Sequence, residues 1–209
     1  MAGEQHALTE DGALAPAPPG RRLRPSDRRA EIVTAARQVF LATGYAGAGL
    51  AEVAAAGSVS RGSIYRYFPN GRVDLFLAVT EDLLVELHGR LRYAASVPFS
   101  PAKRMEHLMA AMFAFFQEEP NAFRLLFRDV WAAGEPSIEA SAAATRALLT
   151  AEIASVIADS GASADELTAY SAGIFGFALA NIELSLNNEI DAETAWSISC
   201  RCATAPLTA

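Results

Sequence analysis

The tetrapeptide Gly57-Ser58-Val59-Ser60 constrains this 209-residue chain more than any other feature. It joins two short stretches, Leu50 to Ala56 and Arg61 to Phe68, whose spacing predicts a helix on each side. Gly57 and Ser58 suit a tight turn, Val59 can plug the space between the helices, and Ser60 can cap the second one. Two short helices meeting across such a turn form the helix-turn-helix pattern. On the second helix Ile64 and Phe68 are four apart and share a face, which should pack against Phe40 and Val53. The remaining face carries Arg61, Gly62, Ser63, Tyr65, Arg66 and Tyr67.

A longer helix should precede the pair. Ser26 follows Pro25 as an N-cap, Asp27 falls in the first turn, and Ile32, Val33, Ala36, Val39 and Phe40 mark one face up to about Thr43. Gly44 suits the position that ends such a helix. Beyond the turn, helices are expected from Arg72 to Ala95, Ala102 to Gln117, Pro120 to Ala132, Ser137 to Asp159, Ala164 to Asn187 and Ala192 to Ala203. Breakers separate them, among them Pro98, Pro101, Gly134, Pro136 and Gly161, and Ser163 can cap the helix from Ala164. No alternating strand pattern competes. The chain is expected to be all-α, with about nine helices: a three-helix N-terminal unit over residues 25–72 and a larger helical body over 73–209. Residues 1–24, rich in Ala, Pro and Gly, read as a flexible arm whose Arg21, Arg22 and Arg24 could reach a polyanion.

Charge follows this division. The chain as a whole carries −7, yet residues 20–72 hold nine arginines against Asp27, Glu31 and Glu52, a local +6. A basic segment on an acidic body is the asymmetry expected where one end meets a polyanion, although a solvated basic face would carry the same charge.

Gly44-Tyr45, Glu52-Val53-Ala54, the run from Val59 through Ser60-Arg61-Gly62-Ser63-Ile64-Tyr65-Arg66-Tyr67-Phe68, and Asp74-Leu75-Phe76 together resemble the DNA-binding domain of the tetracycline-repressor (TetR) family. The match runs from residue 28 to about 80. The resemblance implies a transcriptional regulator, expected to be a repressor, that binds a palindromic double-stranded operator as a homodimer and is released by a small-molecule effector. It also implies a DNA-contacting set of Ser60, Arg61, Gly62, Ser63, Tyr65, Arg66, Tyr67 and Arg72. Gly62 lets the helix approach base edges, and Arg61 near the helix N-terminus suits a bidentate contact with guanine. Ser63 can bond a base or a phosphate, while Tyr65, Arg66 and Tyr67 suit phosphates, or, for the tyrosines, the core. Arg72 stands in for the Lys that family members usually carry after the recognition helix. Gly49 and Ala51 replace a Thr and an Arg that the family often has, so the third helix should do nearly all the reading. Gly57-Ser58 replaces the usual Ala-Gly, a change the turn should tolerate.

The family's last two long helices form a four-helix bundle between subunits. Leu167, Tyr170, Ile174, Phe177, Asn181 and Leu184 make one stripe here, and Phe175, Leu179, Ile182 and Leu186 line other faces of the same helix. A helix apolar nearly all round is buried on both sides. The aromatics Phe113, Phe116, Phe123, Phe127, Trp131 and Phe177 are either ordinary core or the wall of an apolar pocket, with Arg124, Arg128 and Asn181 orienting a hydrophobic or aromatic effector. A different reading of the same fold is a DNA-bound adaptor whose C-terminal domain recruits a protein.

Other chemistry has little to stand on. Cys200 and Cys202 lack His or carboxylate partners for a metal, His6, His88 and His107 are scattered, and no nucleophile-base pair or phosphate-binding glycine loop is visible. No enzyme activity, cofactor or metal is expected. No signal-like segment or bilayer-spanning apolar run stands out either, so the expected location is the cytoplasm.

Overall fold

A computed structural model describes residues 25–207, and the expected arm over 1–24 lies outside them. Among the described residues there is no strand, and the chain forms nine helical segments. Helix α1 spans Pro25–Gly47, α2 Leu50–Ala56, α3 Arg61–Tyr67, α4 Arg72–Ser96 and α5 Pro101–Glu118. A continuous helical run over residues 120–132 is α6; α7 spans Pro136–Ile157, α8 Ala164–Leu186 and α9 Ala192–Thr204.

The local signals in the sequence act largely as their chemistry requires. Ser60 Oγ accepts from the Ser63 backbone N–H at 3.1 Å, opening α3. Ser163 and Glu166 form a reciprocal capping box that opens α8. Gly161 takes a left-handed φ of 80° after α7. Ser26, however, does not cap α1. The helix already includes Pro25, whose fixed φ suits a first turn, and Ser26 Oγ instead donates to Asp27 Oδ1 at 3.2 Å. Gly44 (φ 73°, ψ 177°) breaks the helical path inside α1, so the chain bends there before a last short turn to Gly47.

One buried cluster runs through the whole molecule. Ile32, Val33, Ala36 and Phe40 of α1 meet Val53, Ile64 and Phe68 of the next two helices and Leu75, Phe76 and Val79 of α4. Helix α4 continues away from this unit, and its Leu83, Leu87 and Leu91 enter the body between α5 and α7.

Two elements differ from a plain reading of periodicity. Within α6, residues Arg124–Asp129 form a π-helical turn, with α-helical Pro120–Phe123 before it and Val130–Ala132 after it. Helices α7 and α8 are both long and apolar enough, by length and composition, to cross a bilayer, contrary to the expectation that no stretch would be. Ala, Gly and Ser are interleaved along both, which breaks up the large apolar residues and does not read as a hydrophobic run. Each packs one face on the core and leaves small or larger apolar residues outside: Ala144, Ala147, Leu148 and Ala151 on α7, and Ala169, Gly173, Gly176, Phe177 and Ala180 on α8.

Candidate nucleic-acid interface

Helix α3 divides cleanly. Ile64 and Phe68 are buried, and the Arg29 guanidinium of α1 lies over the Phe68 ring at 5.1 Å. Arg61, Gly62, Tyr65 and Arg66 are exposed, whereas Ser63 and Tyr67 are half-buried. A Cβ added to Gly62 would meet only Ser60 Oγ, at 3.8 Å, so this stretch of helix offers bare backbone to whatever approaches it. Ser60 spends its hydroxyl on the α3 cap and on Ser63 Oγ, 3.1 Å away.

The two tyrosines part company. Tyr67 packs against the core, while Tyr65 is 52% exposed. Gly71, held at φ 59°, lets the chain pass close to the Tyr65 ring: a Cβ there would stand 3.2 Å from Tyr65 Cε1 and 3.2 Å from Leu50 Cδ1. Arg72 opens α4 and is exposed, with its guanidinium 4.4 Å above the Tyr45 ring. The second helix lacks a side-chain cap at Gly49. The Glu52 carboxylate folds back over that position, and a Cβ on Gly49 would collide with it.

The residues expected to line an effector pocket are not gathered around one space. Phe116, Phe123 and Phe127 pack edge to face or tilted at 5.4–5.8 Å between ring centres, and Phe127 meets Phe175 at 6.0 Å. Phe113 is buried in the core cluster but makes no ring contact with them. Trp131 and Phe177 instead face outward, 55% and 39% exposed. Trp131 borders an apolar groove between α7 and α8, lined by Ala147, Ala151, Leu167 and Ala172 among others. Asn181 is buried, its amide donating to the Phe177 carbonyl at 2.9 Å, and Arg128 pairs with Glu183 at the surface. Arg124 points the other way, toward α1: its Nη2 donates to the carbonyls of Leu41 at 2.9 Å and Phe40 at 3.3 Å.

Beside Arg124 stands Asp129, which no motif or spacing in the sequence singles out. Its Oδ2 accepts from the Tyr45 backbone N–H at 2.9 Å. A second polar seam runs along the same side, where Arg37 of α1 pairs with Glu86 of α4 and Glu119 before α6. Among the described residues no group of acidic, His and Cys side chains is placed to hold a metal. Burial pushes the Cys200 thiol up to about 11.

Comparison with known proteins agrees with this arrangement. Residues 32–79 match the family described as bacterial regulatory proteins, tetR family. The transcriptional activator FasR of Mycolicibacterium smegmatis is 28% identical over 179 residues, covering 84% of this chain and 81% of FasR. Among solved structures, a tetR-family regulator from Streptomyces coelicolor superposes with a TM-score of 0.72 at 20% identity, over 89% of this chain and 81% of that one. FadR from Bacillus subtilis, solved in complex with stearoyl-CoA, gives 0.73 at 13% identity, over 85% of this chain and 98% of that one. Residues 32–79 thus carry the tetR-family DNA-binding region, and over most of its length the chain is similar to transcriptional regulators of that family.

Proposed function

We propose that the protein acts as a homodimer that sets α3 of each subunit into the major groove at the two halves of a palindromic operator, repressing transcription until a small hydrophobic effector releases it. The observation that carries this reading is the division of α3 into an anchored face, Ile64 and Phe68, and an outward face of Arg61, Gly62, Tyr65 and Arg66. Arg61 reads guanine, Ser63 supports it, and Tyr65, Arg66 and Arg72 hold phosphates that set register. Tyr67 and Ser60 serve mainly by positioning, the one through the core and the other through the cap. With Glu52 lying over Gly49, the second helix adds little to phosphate binding.

Residues 25–72 are the DNA-gripping unit in this reading, and 73–209 dimerise and sense. The outward faces of α7 and α8, rich in Ala and Gly with Leu148, Tyr170 and Phe177 among them, support a helix-on-helix dimer that places the two α3 helices about 34 Å apart, one turn of duplex. The similarly folded FadR, solved with stearoyl-CoA, supports an effector with a long apolar part, and stearoyl-CoA is the first candidate. Such a regulator works in the cytoplasm, on the chromosome.

The name of the relative FasR favours a second sign for the same machinery, activation. One experiment tests the proposal and separates the signs. Random duplexes are enriched on the purified protein, the selected duplex is titrated, and stearoyl-CoA is added before in vitro transcription from a template carrying it. The expected results are a palindrome bound by two chains, release by the acyl-CoA, and transcription that rises on release. A fall on release assigns activation, no effect of the acyl-CoA removes it as effector, and no enriched sequence overturns operator binding.

A further inference from the structure

We propose that Arg124 and Asp129 are positioning residues for DNA binding: from the body they fix Gly44 and Tyr45, and through the Tyr45 ring they hold the Arg72 guanidinium where it meets a backbone phosphate. The inference rests on the reading that α3 and the start of α4 face DNA.

The π-helical turn is what makes the pair. Residues five apart on an α-helix lie about 140° apart around the axis and cannot act together on one side. In a turn closed by i→i+5 bonds, the fifth residue comes round beside the first. Arg124 and Asp129 are the first and last residues of that turn, and Arg124 Nε stands 3.7 Å from Asp129 Oδ2. Both then reach the same place on α1. Arg124 takes the Phe40 and Leu41 carbonyls, which lie just before the break in that helix, and Asp129 takes the Tyr45 N–H just after it. The two side chains thus hold the bend at Gly44 from either side.

Tyr45 passes the constraint onward. Its buried ring meets Phe76 edge to face at 4.8 Å and stacks parallel to Phe40 at 6.5 Å, so it has little freedom to turn. Arg72 rests 4.4 Å over that ring. A guanidinium laid on a fixed aromatic face keeps its N–H groups free at the edges while losing rotamer freedom in advance, which suits contact with a phosphate. Body and DNA-facing residue therefore meet at one residue, Tyr45, the first through its backbone N–H and the second through its ring.

The test uses the full chain and a fluorescent duplex enriched by the wild-type protein. Asp129→Ala is expected to raise Kd roughly tenfold and to flatten the salt dependence of binding by about one phosphate per chain, as Arg72→Gln does. The double variant should be no worse than Arg72→Gln alone, and Asp129→Asn, which keeps an acceptor for the Tyr45 N–H, should restore both readouts. Should Asp129→Ala not fold, Tyr45→Leu must reproduce Arg72→Gln while Tyr45→Phe, which keeps the ring, binds as wild type. An unchanged salt slope in Asp129→Ala, or losses that simply add in the double variant, overturns the proposal and leaves the clamp a stabilising contact. If the wild-type protein binds no duplex, the DNA reading falls first and the inference with it.

Discussion

A Cβ placed on Gly44 would stand 2.8 Å from Oδ2 of Asp129, eighty-five positions further along the chain. Gly44 also sits at φ 73° and ψ 177°, a region essentially closed to other residues. Glycine is thus required twice, for backbone freedom and for the approach of a carboxylate. Gly44→Ala is expected to lose at least 1–3 kcal/mol, on the order of the strain alone. Urea unfolding followed by circular dichroism measures it, and a variant as stable as wild type would mean that the bend relaxes without cost.

The turn of the helix-turn-helix carries a smaller strain in the opposite register. Gly57 sits at φ −88°, and Ser58 is the residue at φ 49°. Ser58 therefore pays a left-handed penalty of about 1 kcal/mol, while Gly57 is needed for a different reason. A Cβ on it would press on Ala35 Cβ at 3.1 Å and on the Val53 carbonyl at 3.4 Å. Ser58→Gly is expected to stabilise the protein by up to about 1 kcal/mol, and Gly57→Ala to destabilise it. Thermal melting distinguishes the two, and an equal loss from both would refute this division of roles.

That turn also marks where sequence reading stops. The helices and the caps at Ser60 and Ser163 were legible because each depends on residues three or four positions away. Which of two adjacent turn residues takes the left-handed conformation depends on how closely α1 approaches, and nothing local records that. The π-helical turn escaped for the same reason: its i, i+5 pair has no signature in a pattern built on 3.6 residues, and the partner of Asp129 is 84 residues away. Arg124 looked like a ligand-orienting cation among aromatics, yet its side chain leaves the helix on the side of α1. Trp131 and Phe177 read as core or pocket wall because they are large and apolar, but the helices that carry them turn those positions outward.

The caps of the last two helices tie stability to acid pH. The Glu166 carboxyl is held below its ordinary value by the Ser163 backbone N–H and hydroxyl, and Asp191 by the Thr194 hydroxyl and N–H. Both values are lowered by folding, so the unfolded chain takes up these protons first as pH falls. The stabilisation is therefore present above the unfolded values and lost as pH drops through the folded ones. Glu166→Gln combined with Asp191→Asn should lower the urea midpoint at neutral pH and converge with wild type toward about pH 2, below the carboxylate range. Parallel profiles would show that these carboxylates do not contribute to acid unfolding.

The proposed dimer face can be tested without disturbing the subunit. Gly173 and Gly176 have open space where a Cβ would go, so a side chain fits at either position within one chain. Gly176→Arg should even favour α8, since Gly is about 0.8–1 kcal/mol poorer than Ala in a helix. It would nevertheless bring two unpaired charges together across a helix-on-helix contact. Sedimentation should show the mass falling to that of a single 22.1 kDa chain while the helical spectrum persists. An intact dimer would move the interface elsewhere.

Arg61 and Arg66 are both exposed on α3, and their expected roles separate them. Arg61 is the first residue of the helix, beside the bare backbone of Gly62, where a guanidinium can reach base edges. Arg66 lies in the last turn, farther round the exposed face, and suits the phosphate backbone. On the selected duplex, Arg61→Ala should cost about 1–3 kcal/mol and bind substituted half-sites almost as well as the original. Arg66→Ala should weaken binding to selected and random duplexes alike and reduce the salt slope by about one phosphate. The comparison needs both duplexes and at least three salt concentrations, because affinity at a single salt cannot tell base reading from charge. If Arg61→Ala lost the same factor on both duplexes, the base contact would have to be assigned to Ser63 or Tyr65 instead.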